Sequence, residues 1–296
     1  MTDKTVLVVV DPTAPPEQPV IARAAWLAPR VSASLELCIV DYDAELDPGD
    51  AMEESLRRGR DRLVERHRAT LESIADGLRR RGLTVTTDVV WDHPLGEALV
   101  RKIAAGEPWL VAKDTHYHSV PKRTIFSNTD WELIRACPAP LLLVKPRTLA
   151  ARPKVLAAVD PLHEHDKPGH LDDAIFGLAA SLAEAVGGEL HVVHAFSPPM
   201  GLELPPDAAR LIAAQHREAL ASFVATHPVP KERAHLLAAS PTESLPAFAE
   251  EEAADFVVMG AVSRRGLSRW FIGSTAEQIL DRLPCDLVIV KPPPKA

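Results

Sequence analysis

Four segments of this 296-residue chain occur twice, in the same order. KTVLVVVDPT (4–13) returns as PKVLAAVDPL (153–162), and SLELCIVDYD (34–43) as GELHVVHAFS (188–197). FSNTDWELI (126–134) and CPAPLLLVKP (137–146) return 146 positions later as IGSTAEQIL and LPCDLVIVKP. An internal repeat fixes the architecture before any residue-level reading, because each copy must bury its own apolar faces. Two homologous domains are expected, 1–148 and 152–296, joined near RTLAARP (147–153). Each has enough residues for one core.

Within each copy, short apolar runs alternate with helical stretches. Strands are expected near 5–10, 35–41, 83–90, 108–113 and 140–145, and again near 154–159, 189–194, 233–238, 255–259 and 286–291. Their continuous Val/Ile/Leu character suits strands covered on both faces of a parallel sheet. The segment 51–81 places Leu56, Leu63, Leu71, Ile74 and Leu78 on one helical face and ends at Gly82. The segment 171–188 opens with Asp172 and Asp173 and stops at Gly187-Gly188. The fold class is therefore α/β, two tandem doubly wound parallel five-stranded sheets with right-handed crossovers.

Ligands in such sheets lie beyond the carboxyl ends of strands, where neighbouring crossovers diverge. In the second copy the first strand ends at Asp160 and the fourth at Gly260. The stretch AVSRRGLSRWFIGST follows Gly260 and leads into the helix AEQILDRL. A glycine-rich backbone, a helix start at Ser274 and Thr275, and the guanidiniums of Arg264, Arg265 and Arg269 together suit a phosphate group. The alternative is that Gly260 and Gly273 serve turns and Ser274 only caps a helix. Composition narrows the choice of partner. Asp and Glu outnumber Lys and Arg by 41 to 33, a net charge of −8, which disfavours general nucleic-acid binding. No apolar run approaches the roughly 20 residues that span a bilayer, so no membrane partner is expected. The start MTDKTVLVVV lacks a basic region followed by an apolar one, so no signal peptide is expected.

The spacing Gly260-x2-Ser263-x9-Gly273-Ser274-Thr275 resembles the phosphate loop of the universal stress protein family, G-x2-G-x9-G-[ST]. The Asp-closed first strand, His194 late in the second strand and the final strand LVIVKP fit the same family, once per copy. The segment KDTHYH…FSNTDWELIRACPAPLLLVKP resembles the tandem, E-type members. The resemblance implies a cytoplasmic stress-response protein. It also implies an adenine nucleotide, ATP included, or a related phosphate ligand held by Asp160, Ala195, Gly260, Ser263, Gly273, Ser274 and Thr275, with Arg264 and Arg265 beside the phosphates. It further implies an internal pseudo-dimer whose halves are related by a pseudo-twofold, and it leaves room for a homodimer of chains. The second family glycine is Ser263 here. If that position needs positive φ, serine costs about 1 kcal/mol; if not, its hydroxyl can reach phosphate. In the first copy the motif positions become Asp114, Tyr117 and Ser127, so a carboxylate stands where phosphate would approach. No nucleotide is expected there, though Asn128-Thr129-Asp130 still reads as a helix start.

Other residues invite chemistry and are read conservatively. His163, Glu164, His165, Asp166 and His170 border the proposed mouth, and His116 and His118 recur in DTHYH, but polar loops commonly carry such groups and no metal is expected. Cys38, Cys137 and Cys285 form no disulfide framework, and the last two are read as packing residues. Trp131 and Trp270 suit a lid or an interface better than base stacking. The segment 197–212 suits an apolar wall or a flexible lid. With no Walker A, H-E-x-x-H or G-x-S-x-G pattern, the chain is expected to be a non-enzymatic binder with at most slow, incidental ATP hydrolysis. Two other readings stay open: a carrier or sensor of an amphipathic or sugar-nucleotide molecule, and a weak metal-assisted hydrolase using Asp160, His163 and His165.

Overall fold

The computed structural model describes residues 4–46, 54–118, 123–125, 128–162, 170–197, 206–261, 279–280 and 282–292. The chain forms two compact units, residues 1–115 with 126–144, and 116–125 with 145–296.

The first unit runs β1 (Lys4–Val9), α1 (Pro19–Leu27), β2 (Ala33–Asp41), α2 (Glu54–Arg79), β3 (Val85–Trp91), α3 (Leu95–Gly106), β4 (Leu110–Asp114), then α4 (Asn128–Ala136) and β7 (Leu141–Val144). Its strands pair in the order β3-β2-β1-β4-β7, all parallel. The short antiparallel hairpin β5 (His116–His118) and β6 (Arg123–Ile125) groups with the second unit. Sequence reading missed this hairpin, because three-residue strands carry too few positions for a period to register.

The second unit continues with β8 (Lys154–Ala158), α5 (Leu171–Ala185), β9 (Glu189–Ala195), α6 (Pro206–Ala225), β10 (Ala234–Leu237), α7 (Pro241–Glu251), β11 (Phe256–Gly260) and β12 (Asp286–Val290). Its order, β10-β9-β8-β11-β12, repeats the first, again all parallel. Val6, Leu7, Val8, Leu37, Ile39 and Val111 in one unit, and Val155, Leu156, Val192, Phe256 and Val257 in the other, are essentially inaccessible. Strands this apolar need helices on both faces, which is why sheet and crossovers appear together.

The helix stops lie where the glycines put them. After α2, Gly82 takes φ +84°, with its N–H bonded to the Arg79 carbonyl and the Leu83 N–H to that of Leu78. After α5, Gly187 takes φ +62°, and a Cβ on Gly188 would come within 2.3 Å of the Pro153 carbonyl oxygen. Within the segment 197–212, residues from 206 onward form the first turns of α6, and 198–205 lie outside the described residues.

The joining segment is strapped down. The fully buried carboxylate of Asp255 accepts the amides of Ala150 and Lys154, both at 3.0 Å, and lies 3.5 Å from the Arg147 guanidinium. Asp286, also fully buried, accepts the Lys145 amide at 2.9 Å. Arg147 further donates to the Ala254 carbonyl at 2.7 Å.

All three cysteines are buried and reduced. Burial pushes the Cys38 and Cys285 thiols up to about 12, and the Cys137 Sγ lies 3.2 Å from the Ala139 carbonyl oxygen. Thiolate is the reactive form. The folded protein should therefore give no reaction with a disulfide reagent at pH 8 and three equivalents after denaturation. One rapid equivalent in the folded state would contradict this packing.

Candidate functional site

β8 and β11 are neighbours, and their crossovers leave toward β9 on one side and β12 on the other. Their carboxyl ends thus form the switch point of the second sheet. Asp160 stands two residues beyond β8, half-buried, and its amide donates to the Asp172 carboxylate at 3.2 Å. Asp172 lies in the first turn of α5 and is almost wholly buried, where the helix N-terminus stabilises a negative charge. Gly260 closes β11, in register with Val290 of β12. Ala195 closes β9, in register with Leu237 of β10. Asp160, Gly260 and the start of α5 are brought together, with Ala195 one strand away. Ser263, Arg264, Arg265, Arg269, Trp270, Gly273, Ser274 and Thr275 lie outside the described residues, as do His163 and His165.

The reason for a glycine at 260 is packing. Its φ is not positive. A Cβ there would lie 2.6 Å from Leu171 Cδ2, 3.0 Å from Leu171 Cγ and 3.2 Å from Ile175 Cδ1. The missing side chain lets α5 close onto the end of β11, which sets the position of the helix start beside Asp160.

The second strand carries a buried polar device that sequence reading only partly found. His194, fully buried, lies 3.1 Å through Nδ1 from the Val159 carbonyl oxygen and 2.8 Å through Nε2 from Nδ1 of His216 on α6. A carbonyl only accepts, so His194 Nδ1 carries a proton, and in the neutral ring Nε2 then accepts from His216 Nδ1–H. Phe196 stacks on His216 with centroids 4.0 Å apart. His194 therefore works inward, tying α6 to the residue before Asp160. Asp172, Phe196 and His216 were missed. Asp172 reads in sequence as a dipole residue only, and His216 sits inside an otherwise ordinary polar helix.

The first unit meets the same positions with different groups. The Asp11 amide is held by Gln18 Oε1 at 2.9 Å, as Asp172 holds Asp160. The Asp11 carboxylate takes both the amide and the hydroxyl of Thr13, at 2.8 and 2.7 Å. The second copy has Leu162 in that place, with no hydroxyl to offer. Asp114 pairs with Val144 as Gly260 pairs with Val290, so the register puts a carboxylate at the glycine position. At the start of α4, Lys113 Nζ lies 2.6 Å from Oδ1 of Asp130, whose side chain is fully buried. This helix start carries its own carboxylate.

Among the described residues, no group of three or more His, Cys, Asp or Glu side chains is arranged to hold a metal ion. His170 is largely exposed, 4.0 Å from Asp173. His116 and His118 are residues of β5 rather than of a loop. Trp131 is half-buried on α4.

Two five-stranded parallel sheets of identical order, each with its switch point between first and fourth strands, define a tandem doubly wound α/β protein. The model of the Universal stress protein family matches residues 3–145 and 153–291, and the chain belongs to that family. It is 31% identical to Universal stress protein E of Salmonella typhi, over 98% of this chain and 94% of the relative, and 30% identical to that of Escherichia coli K12 over the same shares. Its fold is similar to that of a functionally unknown protein of Pseudomonas aeruginosa PAO1, with a TM-score of 0.76, 26% identity and coverage of 99% and 94% of the two chains. A universal stress protein of Archaeoglobus fulgidus, at 17% identity and a TM-score of 0.71, shares the fold over 98% and 99%.

Proposed function

We propose that this chain is a non-enzymatic, cytoplasmic stress-response protein that binds an adenine nucleotide or a related phosphate ligand in its second unit only. The observation that carries the reading is the unequal treatment of one position in two copies of one fold. At the end of the fourth strand the second copy has Gly260, beside Asp160 and the start of α5, while the first has Asp114. The first copy also places the buried Lys113–Asp130 pair at the helix start that follows. An anion approaching there meets carboxylates and a cation already neutralised. The family resemblance of the 260–275 stretch, with Ser263, Gly273, Ser274 and Thr275 around phosphate and Arg264 and Arg265 nearby, supports the same choice of copy. No helix among the described residues is long and apolar enough to cross a membrane.

Titration calorimetry with ATP and ADP tests this. One site per chain is expected. Gly273→Asp should weaken binding at least tenfold, and Ser127→Asp should leave it unchanged. Equal losses at the two positions would reject the asymmetry, and no nucleotide binding by the native chain would reject the ligand class.

A further inference from the structure

His191 of β9 and His235 of β10 meet beneath α7, away from the candidate site. Their Nδ1 and Nε2 are 3.0 Å apart and their rings lie nearly parallel at 15°. Phe248 of α7 packs on His235 with centroids 4.7 Å apart. Glu252, at the end of α7, pairs with Lys154 of β8 at 2.7 Å. Glu189 of β9 approaches His191 Nε2 at 3.7 Å and is shared with Arg233 at 3.8 Å and Arg152 at 3.1 Å. Those are the charged groups facing the pair: Glu189 from β9, Lys154 from β8, Glu252 just after α7 and Arg233 from the turn before β10.

The register identifies the counterpart in the first unit. The Val10 amide bonds to the Cys38 carbonyl as the Val159 amide bonds to that of Val193, so the structure sets the second strands one residue off the repeat read from sequence, which put Leu37 at His191, and makes Glu36 the counterpart of His191. Cys38 then pairs with Asp88 as Val193 pairs with His235, and Lys102 stands 146 positions before Phe248. There Lys102 Nζ lies 2.6 Å from Glu36 and 2.7 Å from Asp88. Burial pulls this ammonium's pKa down, but hydrogen bonds to Asp88 and Glu36 outweigh it and hold the pKa above the ordinary lysine range. One copy thus joins strand, strand and helix with a lysine that stays charged, and the other with two imidazoles and a phenyl ring.

We propose that the His191–His235 pair is an acid-sensitive clasp that holds β10 and α7 to the second sheet when it carries at most one extra proton and releases them when both imidazoles are charged. The chemistry follows from one shared hydrogen bond. With both rings neutral, one facing nitrogen donates and the other accepts. A first proton can be taken on an outer nitrogen with the shared bond intact. A second puts an N–H on both facing nitrogens, so two donors and two positive charges oppose each other at 3.0 Å. Burial lowers the pKa of both rings and outweighs the carboxylates that raise it, Glu189 and Glu252 at His191 and Glu252 at His235. A histidine with a depressed folded pKa costs nothing above its ordinary value near 6.5 and destabilises the fold progressively as pH falls below it. Because Ala195 pairs with Leu237 and the Phe196 amide bonds to the Leu237 carbonyl, release of β10 also removes the neighbour of a candidate site residue. The clasp itself does not depend on the ligand reading.

Hydrogen exchange of the full chain at pH 7.5 and 5.5, corrected for intrinsic rates, tests it. Protection over 234–252 should fall at least tenfold at pH 5.5, while the matching 85–106 of the first unit should not change. His191→Gln, which cannot charge, should abolish the acid response. Should that variant not fold, proton NMR of the native histidines replaces it, with two resonances expected to titrate below 6.5. Parallel loss in both units, no loss over 234–252, a response that persists in a folded His191→Gln protein, or one removed by a chelator, which would assign the pair to a metal ion, each overturns the proposal.

Discussion

Asp255→Ala is expected to lower the stability of the second unit by about 3 kcal/mol. In a unit of this size that is a drop of about 10 °C in melting temperature. The carboxylate is wholly buried, and three groups converge on it: the amides of Ala150 and Lys154 and the guanidinium of Arg147. Alanine leaves two part-buried N–H groups without their acceptor and a cavity where the buried carboxylate stood, and an unmade buried hydrogen bond costs more than a made one gains. Asp255→Asn should be nearly as damaging, because the new amide NH2 must face one of those two donors. Arg147→Ala should cost less, because both amide hydrogen bonds to Asp255 stay in place and the guanidinium stands 3.5 Å from the carboxylate. Urea unfolding of the three variants gives the ranking. An Asp255→Ala protein within about 1 kcal/mol of the native one would show that the joining segment is held by something else.

The same residue marks a boundary of what the sequence discloses. Repeats, strand positions and helix stops are legible because they rest on local signals: apolar runs, Asp-Pro ends, and glycines at 82 and 187 that take positive φ. Asp160 and Gly260 are legible too, as residues at strand ends of a switch point. What Asp255 and Asp286 do is not. Each stands at the head of an apolar strand and reads as a polar boundary, yet each is fully buried and accepts a backbone amide of a segment far away in sequence, Lys154 in one case and Lys145 in the other. His191 and His235 are hidden for a related reason. A histidine in a strand reads as the polar half of an alternation, and only the register of β9 on β10 brings two of them together.

Gly260→Asp, which writes the first copy's Asp114 into the second, should abolish measurable nucleotide binding, a loss of at least 100-fold, and lower stability as well. The two effects have separate causes and can be separated. Any Cβ at 260 enters the space of Leu171 and Ile175, which are fully buried and cannot move away freely. Overpacking of this kind costs about 1–3 kcal/mol, and Gly260→Ala should show that cost alone. Shortening the neighbour, as in Gly260→Ala with Leu171→Ala, should return part of it, because contacting residues couple in double-mutant cycles. The carboxylate of Gly260→Asp adds like-charge repulsion at the end of β11, beside Asp160 and Asp172 and opposite the expected phosphate. Gly260→Ala should therefore lose stability with a modest change in affinity, and Gly260→Asp should lose both. If Leu171→Ala gives no relief, the packing account of Gly260 fails. If Gly260→Ala abolishes binding as completely as Gly260→Asp, the close approach of backbone to ligand, rather than the absence of a charge, is what Gly260 provides.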